Sequence, residues 1–284
     1  MRPKLLIIAG LAMVLFSCQK EIDFDFESPA DGGVGNPNGN LLVKATQITL
    51  STNDTNFIGV KWNSANKLIE YSTNGKVNGF PTKFTSTINR GSDGKIQTIV
   101  SKTELQNTIM DSIVYKVSYK PATSQLAYVT STQHSFLGDI EDSTFYTYNA
   151  AGRVVTKETH QALFGPMMPS VRQTYEYDGN GNVTKINSFE FTGSGFAPSG
   201  TSTYTYTTHK SAITLGEESF IILGGENVSV NGISKLETDA TSSGNAYTLT
   251  TSNVVYNSFD RPSEAIISVT PNPPGYQVKV LYYY

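Results

Sequence analysis

The chain has 284 residues, of which 24 are acidic and 21 basic, so its formal net charge is -3. Only 16% of the residues are charged, below the roughly 25% of an average globular domain, and Gly, Ser, Thr, Asn and Tyr fill the difference. These residue types favour strands and turns over helices. The acidic balance argues against a nucleic-acid partner, and the single Cys excludes a disulfide framework.

The N-terminus has the pattern of a bacterial export signal. Two basic residues precede the apolar run Leu5–Phe16, which is too short to span a bilayer core of about 30 Å. The run ends just before Cys18, and this junction resembles the lipobox of bacterial lipoproteins. The resemblance implies cleavage before Cys18 and diacylation of its thiol. We therefore predict a signal peptide over residues 1–17 and membrane contact through acyl chains on Cys18. The alternative is an ordinary signal peptide with a chance cysteine.

Residues 18–40 combine the cysteine with an acidic stretch that continues into Gly, Pro and Asn, which predicts a flexible tether. Its mean end-to-end length is on the order of 25 Å. Gln19 stands where Asp would mark inner-membrane retention in enterobacterial lipoproteins, so the resemblance favours the outer membrane. Lys20 and Glu21 resemble the charged export tag of Bacteroidota surface lipoproteins. We prefer cell-surface display to periplasmic display, with a solvated acidic linker as the alternative explanation of these charges.

A repeat begins after residue 41. The segments Tyr148–Val154 (YNAAGRV) and Tyr177–Val183 (YDGNGNV) carry an aromatic residue, Asn or Asp, Gly and Val in step. The spacing of the repeat is regular, since 29 residues separate successive members of the series Tyr119, Tyr148, Tyr177 and Tyr206. Asn or Asp opens a type I turn, and Gly152 or Gly181 is expected to close it in the left-handed conformation. Weaker copies begin at Trp62, Ile88, Tyr119 and Tyr256.

The residues around each turn alternate between apolar and polar. In Thr201–Tyr206, for example, Tyr204 and Tyr206 alternate with threonine, which indicates an antiparallel strand buried on one face. Each unit therefore supplies two strands, and no long amphipathic helix is expected. The simplest role of the tyrosines is to line the core, although their rings also invite a glycan-binding interpretation.

These units resemble those of YD-repeat proteins. The combination of lipobox, tether and repeated hairpins resembles uncharacterised Bacteroidota lipoproteins, some of which form a domain of unknown function described as porin-like. Two units depart from the pattern: the Tyr119 unit has Pro121 and lacks the Gly, and the Tyr256 unit has Asp260 in its place. The resemblance implies a fold and no activity.

The number of strands predicts the architecture. A meander of about 14 to 18 strands exceeds the roughly ten that an open twisted sheet tolerates, so it should roll up or close. We predict one all-β domain over residues 41–284, a repeated antiparallel hairpin meander rolled or closed into a barrel-like sheet. Residues 207–250 interrupt the repeat.

No catalytic or cofactor-binding motif is present in the sequence, and we predict neither a metal nor a cofactor. Asp178 opens a segment resembling a calcium loop, but Val183 and Phe189 replace the Gly and Glu that such a loop requires. Two acidic clusters, Glu217–Glu218 and residues 139–142, could supply the paired carboxylates of a glycoside hydrolase. Solvated loops are the preferred explanation of both clusters.

The longer hairpin connections are expected at the edge opposite the tight turns, and they carry large apolar residues beside Gly or Pro. This candidate binding rim comprises Phe80, Phe136, Phe164, Met167, Met168 and Phe196. An exposed rim would bind a partner, ligand or lipid, whereas an inward-folded one would plug the barrel. Both alternatives remain open at this stage.

The sequence thus predicts a non-enzymatic envelope lipoprotein that acts as a binding or structural module, with a glycan or another envelope protein as its partner. The alternative is a surface hydrolase or a lipid- or glycan-handling protein with an unmarked site inside the roll. An integral membrane barrel is the third possibility, and it fits poorly if Lys157, Glu158 and Lys185 on the predicted return strands face the lipid.

Overall fold

The computed structural model describes residues 40–77, 80–135, 138–162, 165–223, 228–239, 246–271 and 276–284. Sixteen antiparallel strands form one closed barrel, which confirms the predicted all-β meander. The strands are β1 Lys44–Thr49, β2 Thr55–Trp62, β3 Leu68–Val77, β4 Phe80–Arg90, β5 Ile96–Leu105, β6 Thr108–Tyr119, β7 Leu126–Ser135, β8 Gly138–Tyr148, β9 Val154–Ala162, β10 Met168–Tyr177, β11 Val183–Phe191, β12 Phe196–Lys210, β13 Asn231–Asp239, β14 Tyr247–Tyr256, β15 Pro262–Thr270 and β16 Gln277–Tyr283.

Every strand pairs with its neighbours in the chain, and β1 closes the barrel against β16, from Lys44 opposite Tyr283 to Thr49 opposite Val278. Closure leaves no unpaired sheet edge. Between β12 and β13 the chain forms a 3₁₀ turn, Gly216–Glu218, and the short helix α1, Ser219–Ile222. None of the helices in the described ranges has the length and apolar character needed to cross a membrane.

The repeat turns follow one local chemistry. The Asn149 side-chain oxygen accepts hydrogen bonds from the backbone N–H groups of Ala151 and Arg153, each at 3.0 Å. Gly152 and Gly181 have φ values of 75° and 91°, the left-handed conformation that closes such a turn. Asp260 adopts φ 63° without a glycine, which accounts for the apparent defect in that unit.

The turn after Tyr119 also contains a residue in the left-handed conformation, but at a different position. Ser124, one residue later than the usual glycine position, has φ 60° and donates its N–H to the Lys120 carbonyl at 2.9 Å. Pro121 therefore fits within a longer turn. The two units with irregular sequences still make hairpins, because the left-handed position can move along the chain or be occupied by Asp.

The tyrosine spacing has a structural cause. The hydroxyl at the end of one strand donates to the carbonyl of the first residue of the preceding strand: Tyr148 to Leu126 at 3.0 Å and Tyr177 to Val154 at 2.7 Å. In β4 Arg90 replaces the tyrosine and donates to the carbonyl of Leu68 at 2.9 Å. A row of side-chain donors thus ties the strand ends together around one end of the barrel.

On most strands the apolar core occupies the half of the barrel next to these turns, and on β15 and β16 it extends farther, to Val269 and Val278. On β11, Val183 and Ile186 are 0% and 6% exposed, whereas Ser188 and Glu190 on the same inward face are partly exposed. We call the filled half the plugged end and the other the open end. Sixteen-stranded porins leave an aqueous channel, and inward residues at the open end of this barrel, such as Ser188 and Glu190, are partly exposed.

Candidate functional site

The plugged end is closed by the connection between β12 and β13. We define the plug as residues 216–222, the 3₁₀ turn and α1. The Glu218 carboxylate forms two hydrogen bonds with the Arg90 guanidinium, at 2.7 and 2.8 Å, and the Arg90 side chain is only 6% exposed. Glu217 accepts hydrogen bonds from the backbone N–H of Leu126, at 2.9 Å, and from the Tyr148 hydroxyl. Burial and this bond to Glu217 raise the pKa of Tyr148.

Phe220 anchors the plug in the core. Its side chain is 3% exposed and meets Tyr175 edge-on, with ring centroids 5.0 Å apart, and Tyr146 at 6.4 Å. Farther along the connection, the Ser229 hydroxyl accepts a hydrogen bond from the N–H of Val183 at 3.0 Å. Side chains from the plug thus contact strands on several sides of the barrel, and they close this end.

These contacts correct two sequence-based interpretations. Glu217 and Glu218 are neither a catalytic pair nor solvated loop acids, because both carboxylates are used to dock the plug. The interruption of the repeat over residues 207–250 contains the plug. The sequence signal that could have revealed it is this interruption, together with Phe220 directly after the acidic pair.

The chain also enters the barrel at the plugged end. The Asn40 side-chain oxygen accepts a hydrogen bond of 2.9 Å from Arg261, in the turn between β14 and β15. Arg261 in turn donates to the Ser211 carbonyl, at the start of the connection that carries the plug. The first described residue and the plug therefore lie at the same end of the barrel.

The open end has a polar inner surface, which we call the luminal wall. Its best-defined part runs across β6 to β10, where the polar inward residues are Asp111, Ser131, Gln133, Asp142, Thr144, Lys157, Thr159, Gln161 and Gln173. The apolar side chains of Ile113 and Ile140 share the inward face with them. These residues share a strand face with core residues of the plugged end, since Asp111 is in phase with Val117 and Asp142 with Tyr146.

Hydrogen bonds link the luminal wall from strand to strand. Gln133 donates to the Asp111 carboxylate at 2.7 Å, and the hydroxyls of Thr144 and Thr159 lie 3.0 Å apart. Ser131 makes a long hydrogen bond of 3.5 Å to Asp142. These bonds satisfy only part of the wall's polar atoms.

Among the residues that the structure describes, buried side-chain atoms without a hydrogen-bond partner include Oδ1 of Asp111, Oδ1 of Asp142 and Oε1 of Gln47 on the inner surface, and the Ser219 hydroxyl in the plug. Burial raises the pKa of Asp142, and its bonds with Gln161 and Ser131 oppose that rise. Burial, with smaller contributions from both aspartates, also raises the pKa of Tyr115 to about 12. The Tyr115 hydroxyl therefore interacts electrostatically with both carboxylates.

The structure separates the acidic cluster at 139–142. Strand alternation directs Asp142 inward, whereas Asp139 lies outside and contacts His134 Nδ1 at 2.9 Å. Asp111 and Asp142 lie two strands apart, about 10 Å, and four positions apart along β7, about 13 Å, so their Cα atoms are roughly 16 Å apart. Catalytic carboxylates of glycoside hydrolases are about 5 to 9.5 Å apart, so this pair does not have that geometry.

The candidate rim lies at the open end. Phe80 is 50% exposed, and Met167 and Met168 are 40% and 48% exposed. Phe196 is partly buried, with its ring 5.5 Å from that of Phe191 and stacked under the Arg172 guanidinium at 4.0 Å. Phe136 and Phe164 lie outside the described residues.

The rim also contains residues that sequence reasoning missed. Ile109 and Met110 are 55% and 46% exposed beside a tight two-residue turn, Gln106–Asn107, whose φ values are 51° and 64°. The expectation that all tight turns share one edge is therefore wrong, because this turn is at the open end and the plug is at the other. Backbone twist, which the primed turn geometry matches, explains why such a short connection fits here.

The outer surface of the barrel is polar and charged. Glu158 on β9 points outward, between Arg172 and His160, each at 2.8 Å. Charged pairs also occur on other strands: Lys61 with Glu70, Glu176 with Lys185, Lys235 with Glu237, and Glu264 with Lys279. Barrels that span a membrane have a continuous apolar band facing the lipid, and charges distributed in this way interrupt any such band.

The segment resembling a calcium loop has a structural role. Both carboxylate oxygens of Asp178 accept hydrogen bonds from Asn182, one from its N–H at 2.8 Å and one from its side-chain amide at 2.9 Å. Across the part of the chain that the structure describes, no group of three or more His, Cys, Asp or Glu could hold a metal ion.

No family model matches the chain, and no curated protein matches its sequence. Nineteen chains in solved structures match it, among them the three that follow. A porin-like protein from Bacteroides vulgatus is 11% identical, covers 86% of this chain and 98% of its own, and has a TM-score of 0.41. A Photorhabdus luminescens Tc holotoxin pore is 11% identical over 82% of this chain and 16% of its own, with a TM-score of 0.22.

The third carries the structural comparison. A porin-like protein from Bacteroides uniformis is 15% identical to this chain, and the match covers 84% of this chain and 95% of that one, with a TM-score of 0.52. At this identity the likeness concerns the fold alone. The chain therefore shares the fold of a porin-like β-barrel protein.

Proposed function

We propose that the protein is a non-enzymatic bacterial envelope lipoprotein whose barrel is a vessel, closed at one end, that binds a polar ligand in its lumen. The observation that carries this proposal is the division of the interior. The plug and an apolar core close one end, while accessible polar side chains line the other. A vessel with one opening can hold a ligand but does not conduct one through.

The outer surface supports the same proposal. Ion pairs such as Glu158–Arg172 and Lys235–Glu237 suit a barrel that is surrounded by water. Membrane attachment then depends on the acyl chains predicted at Cys18. The porin-like fold thus accompanies an envelope protein that is anchored by lipid instead of inserted as a barrel.

The position of Asn40 supports an orientation. Because the chain enters at the plugged end, a tether from Cys18 would hold that end towards the membrane and direct the open end away from it. Display on the cell surface would make the lumen accessible to extracellular ligands. Display on the periplasmic side would make it accessible to periplasmic ones.

Anchoring is tested by the substitution Cys18→Ala, with Ser17→Ala as the control. We expect the Cys18 variant to leave the membrane fraction and the control to remain in it. Retention of the Cys18→Ala variant after a carbonate wash would contradict lipid anchoring and favour an integral barrel.

The vessel is tested by cysteine labelling in the Cys18→Ala background with a charged, membrane-impermeant maleimide. Ser131→Cys reports the luminal wall, its outward neighbour Thr132→Cys serves as the outer-surface control, and Val154→Cys serves as the plugged-end control. We expect rapid labelling at 132, slower but complete labelling at 131, and none at 154 in the folded protein. An unlabelled Ser131→Cys would mean that the lumen is closed to solutes.

A further inference from the structure

The chemistry of the luminal wall restricts the ligand class. Uncharged amides and hydroxyls dominate its described part, with Gln133 on β7, Gln161 on β9 and Gln173 on β10, and one cation, Lys157, faces inward opposite Gln173. Amides donate and accept hydrogen bonds through the same side chain, and so do hydroxyls. A ligand that matches this surface must offer both donors and acceptors.

The unpartnered atoms add a second restriction. Oδ1 of Asp111, Oδ1 of Asp142 and Oε1 of Gln47 are all acceptors, and all three are buried without a partner. An unmet buried acceptor is destabilising, so these atoms call for a donor from outside the protein. These acceptors lie on β6, β8 and β1, so the positions that need a donor are distributed over a large part of the lumen.

From these two observations, and resting on the proposed function of the lumen as a binding site, we propose that the luminal wall binds a neutral oligosaccharide. Its hydroxyl groups would donate to the free oxygens of Asp111 and Asp142 and accept from the amides of Gln133 and Gln161. An ammonium ligand matches less well, because it has donors only and leaves the amide N–H groups without acceptors.

The floor of the lumen fits the same ligand. Tyrosines at the boundary between the polar and apolar halves include Tyr115 and Tyr175, and the Tyr175 hydroxyl donates to Gln173 at 3.0 Å, towards the open end. The floor therefore continues the polar surface of the wall. Sixteen-stranded porins leave an aqueous channel, and a lumen of that kind would admit an oligosaccharide.

The test is isothermal titration of the full chain carrying Cys18→Ala. The probes are neutral hexasaccharides of glucose, mannose, galactose and N-acetylglucosamine, with spermidine as the cationic probe. We expect at least one hexasaccharide to bind with a Kd below about 1 mM and spermidine to give no signal.

The variants Asp111→Ala and Gln133→Ala should each weaken that binding by about tenfold or more, since each removes a hydrogen-bonding group from the wall. Thr132→Ala is the matched control, because residue 132 adjoins Gln133 on β7 and points outward; it should bind as the parent does. Protection of Ser131→Cys from the maleimide by the same hexasaccharide provides a second readout that does not depend on the folding of the wall variants.

Three results would overturn the inference: no hexasaccharide binds at millimolar concentration, spermidine alone binds, or the luminal substitutions leave sugar binding unchanged. Labelling separates this failure from that of the proposed function. If Ser131→Cys is labelled but no sugar binds, the ligand class is wrong and the vessel remains. If Ser131→Cys is not labelled, the vessel itself is wrong.

Discussion

The substitution Phe220→Ala tests whether the plug is a docked part of the core. The ring is 3% exposed and has edge-on contacts with two tyrosines, at 5.0 and 6.4 Å. Truncation of a buried Phe costs about 3 to 5 kcal/mol, to which each lost aromatic pair contributes about 1 kcal/mol. We therefore expect the plug to lose about 4 kcal/mol of docking free energy.

The loss should be local before it is global, because the plug connects two strands and can leave the barrel while the strands stay paired. The sensitive assay is amide hydrogen exchange at Leu223, whose N–H donates to the Ser219 carbonyl at 3.0 Å. A loss of about 4 kcal/mol corresponds to exchange that is roughly 10² to 10³ times faster. The melting temperature should fall by less than it would if the free energy of global unfolding decreased by the same amount.

Phe80→Ala is the matched control, because the same substitution is made at a side chain that is 50% exposed. Its effect on unfolding should stay within about 0.5 kcal/mol. If Leu223 in the Phe220 variant exchanges at the parent's rate and the melting temperature is unchanged, the plug is not held by this ring, and the account of the closed end fails.

Three further predictions concern an ion pair, a turn and a titration. Glu218→Gln should lower the free energy of unfolding in urea by about 3 kcal/mol, because it leaves the nearly buried Arg90 cation unpaired. A decrease of less than about 0.5 kcal/mol, the size expected for an ordinary surface substitution, would refute that role. Gly181→Val should lower the free energy of unfolding by on the order of 1 to 3 kcal/mol, because a β-branched residue is strained at φ 91°. Gly179→Ala is the near-neutral control, because a Cβ added at residue 179 meets no atom within 4 Å. Asp142 has a raised pKa, so its folded form binds more protons than the unfolded chain, and its contribution to stability falls as the pH rises from 3.8 through the folded pKa. Relative to the parent, Asp142→Asn should therefore be less destabilising at pH 7 than at pH 3 in urea unfolding, and equal effects at both pH values would contradict the burial of this carboxyl.

The hairpins could be predicted from the sequence because their determinants are local. Asn149 bonds to backbone groups within four residues of itself, and Gly152 supplies the conformation that the turn requires. Both partners in such an interaction lie within a few consecutive residues, so the sequence of one short segment is enough to predict it. The 29-residue spacing of the tyrosines then extended the local prediction to a repeated sheet, and the number of strands implied closure.

The plug could not be predicted in this way. Glu218 and its partner Arg90 are 128 residues apart, and Glu217 is 91 residues from Leu126, so nothing in the neighbourhood of either acid identifies its partner. An acidic pair in a stretch without strand alternation has the composition of a solvated loop. Only the closed barrel brings β4 and β7 to the place where this connection crosses.

The luminal wall could not be predicted from the sequence for a different reason. Along strands such as β7, Thr and Ser occupy both faces, so alternation alone does not say which face is inward. The register with β8 decides it, because it sets Ser131 opposite Asp142 in phase with the buried Tyr146. The functional interpretation of Asp142 therefore depends on information that appears only when neighbouring strands are paired.

The composition of the wall has an energetic implication. Each buried acceptor without a partner costs about 1 to 3 kcal/mol, and Val or Leu at such positions would have extended the apolar core instead. The plugged end shows that this chain can build an apolar core, with Val183, Ile186 and Phe220 packed together. The stability of the barrel is thus concentrated at that end, where the tyrosine hydrogen bonds, the ion pair of Arg90 and the plug act together. The open end gives up stability by keeping polar side chains, some of them with unmet buried acceptors, around the lumen. Such a division is expected of a protein whose lumen is completed by a ligand rich in hydrogen-bond donors.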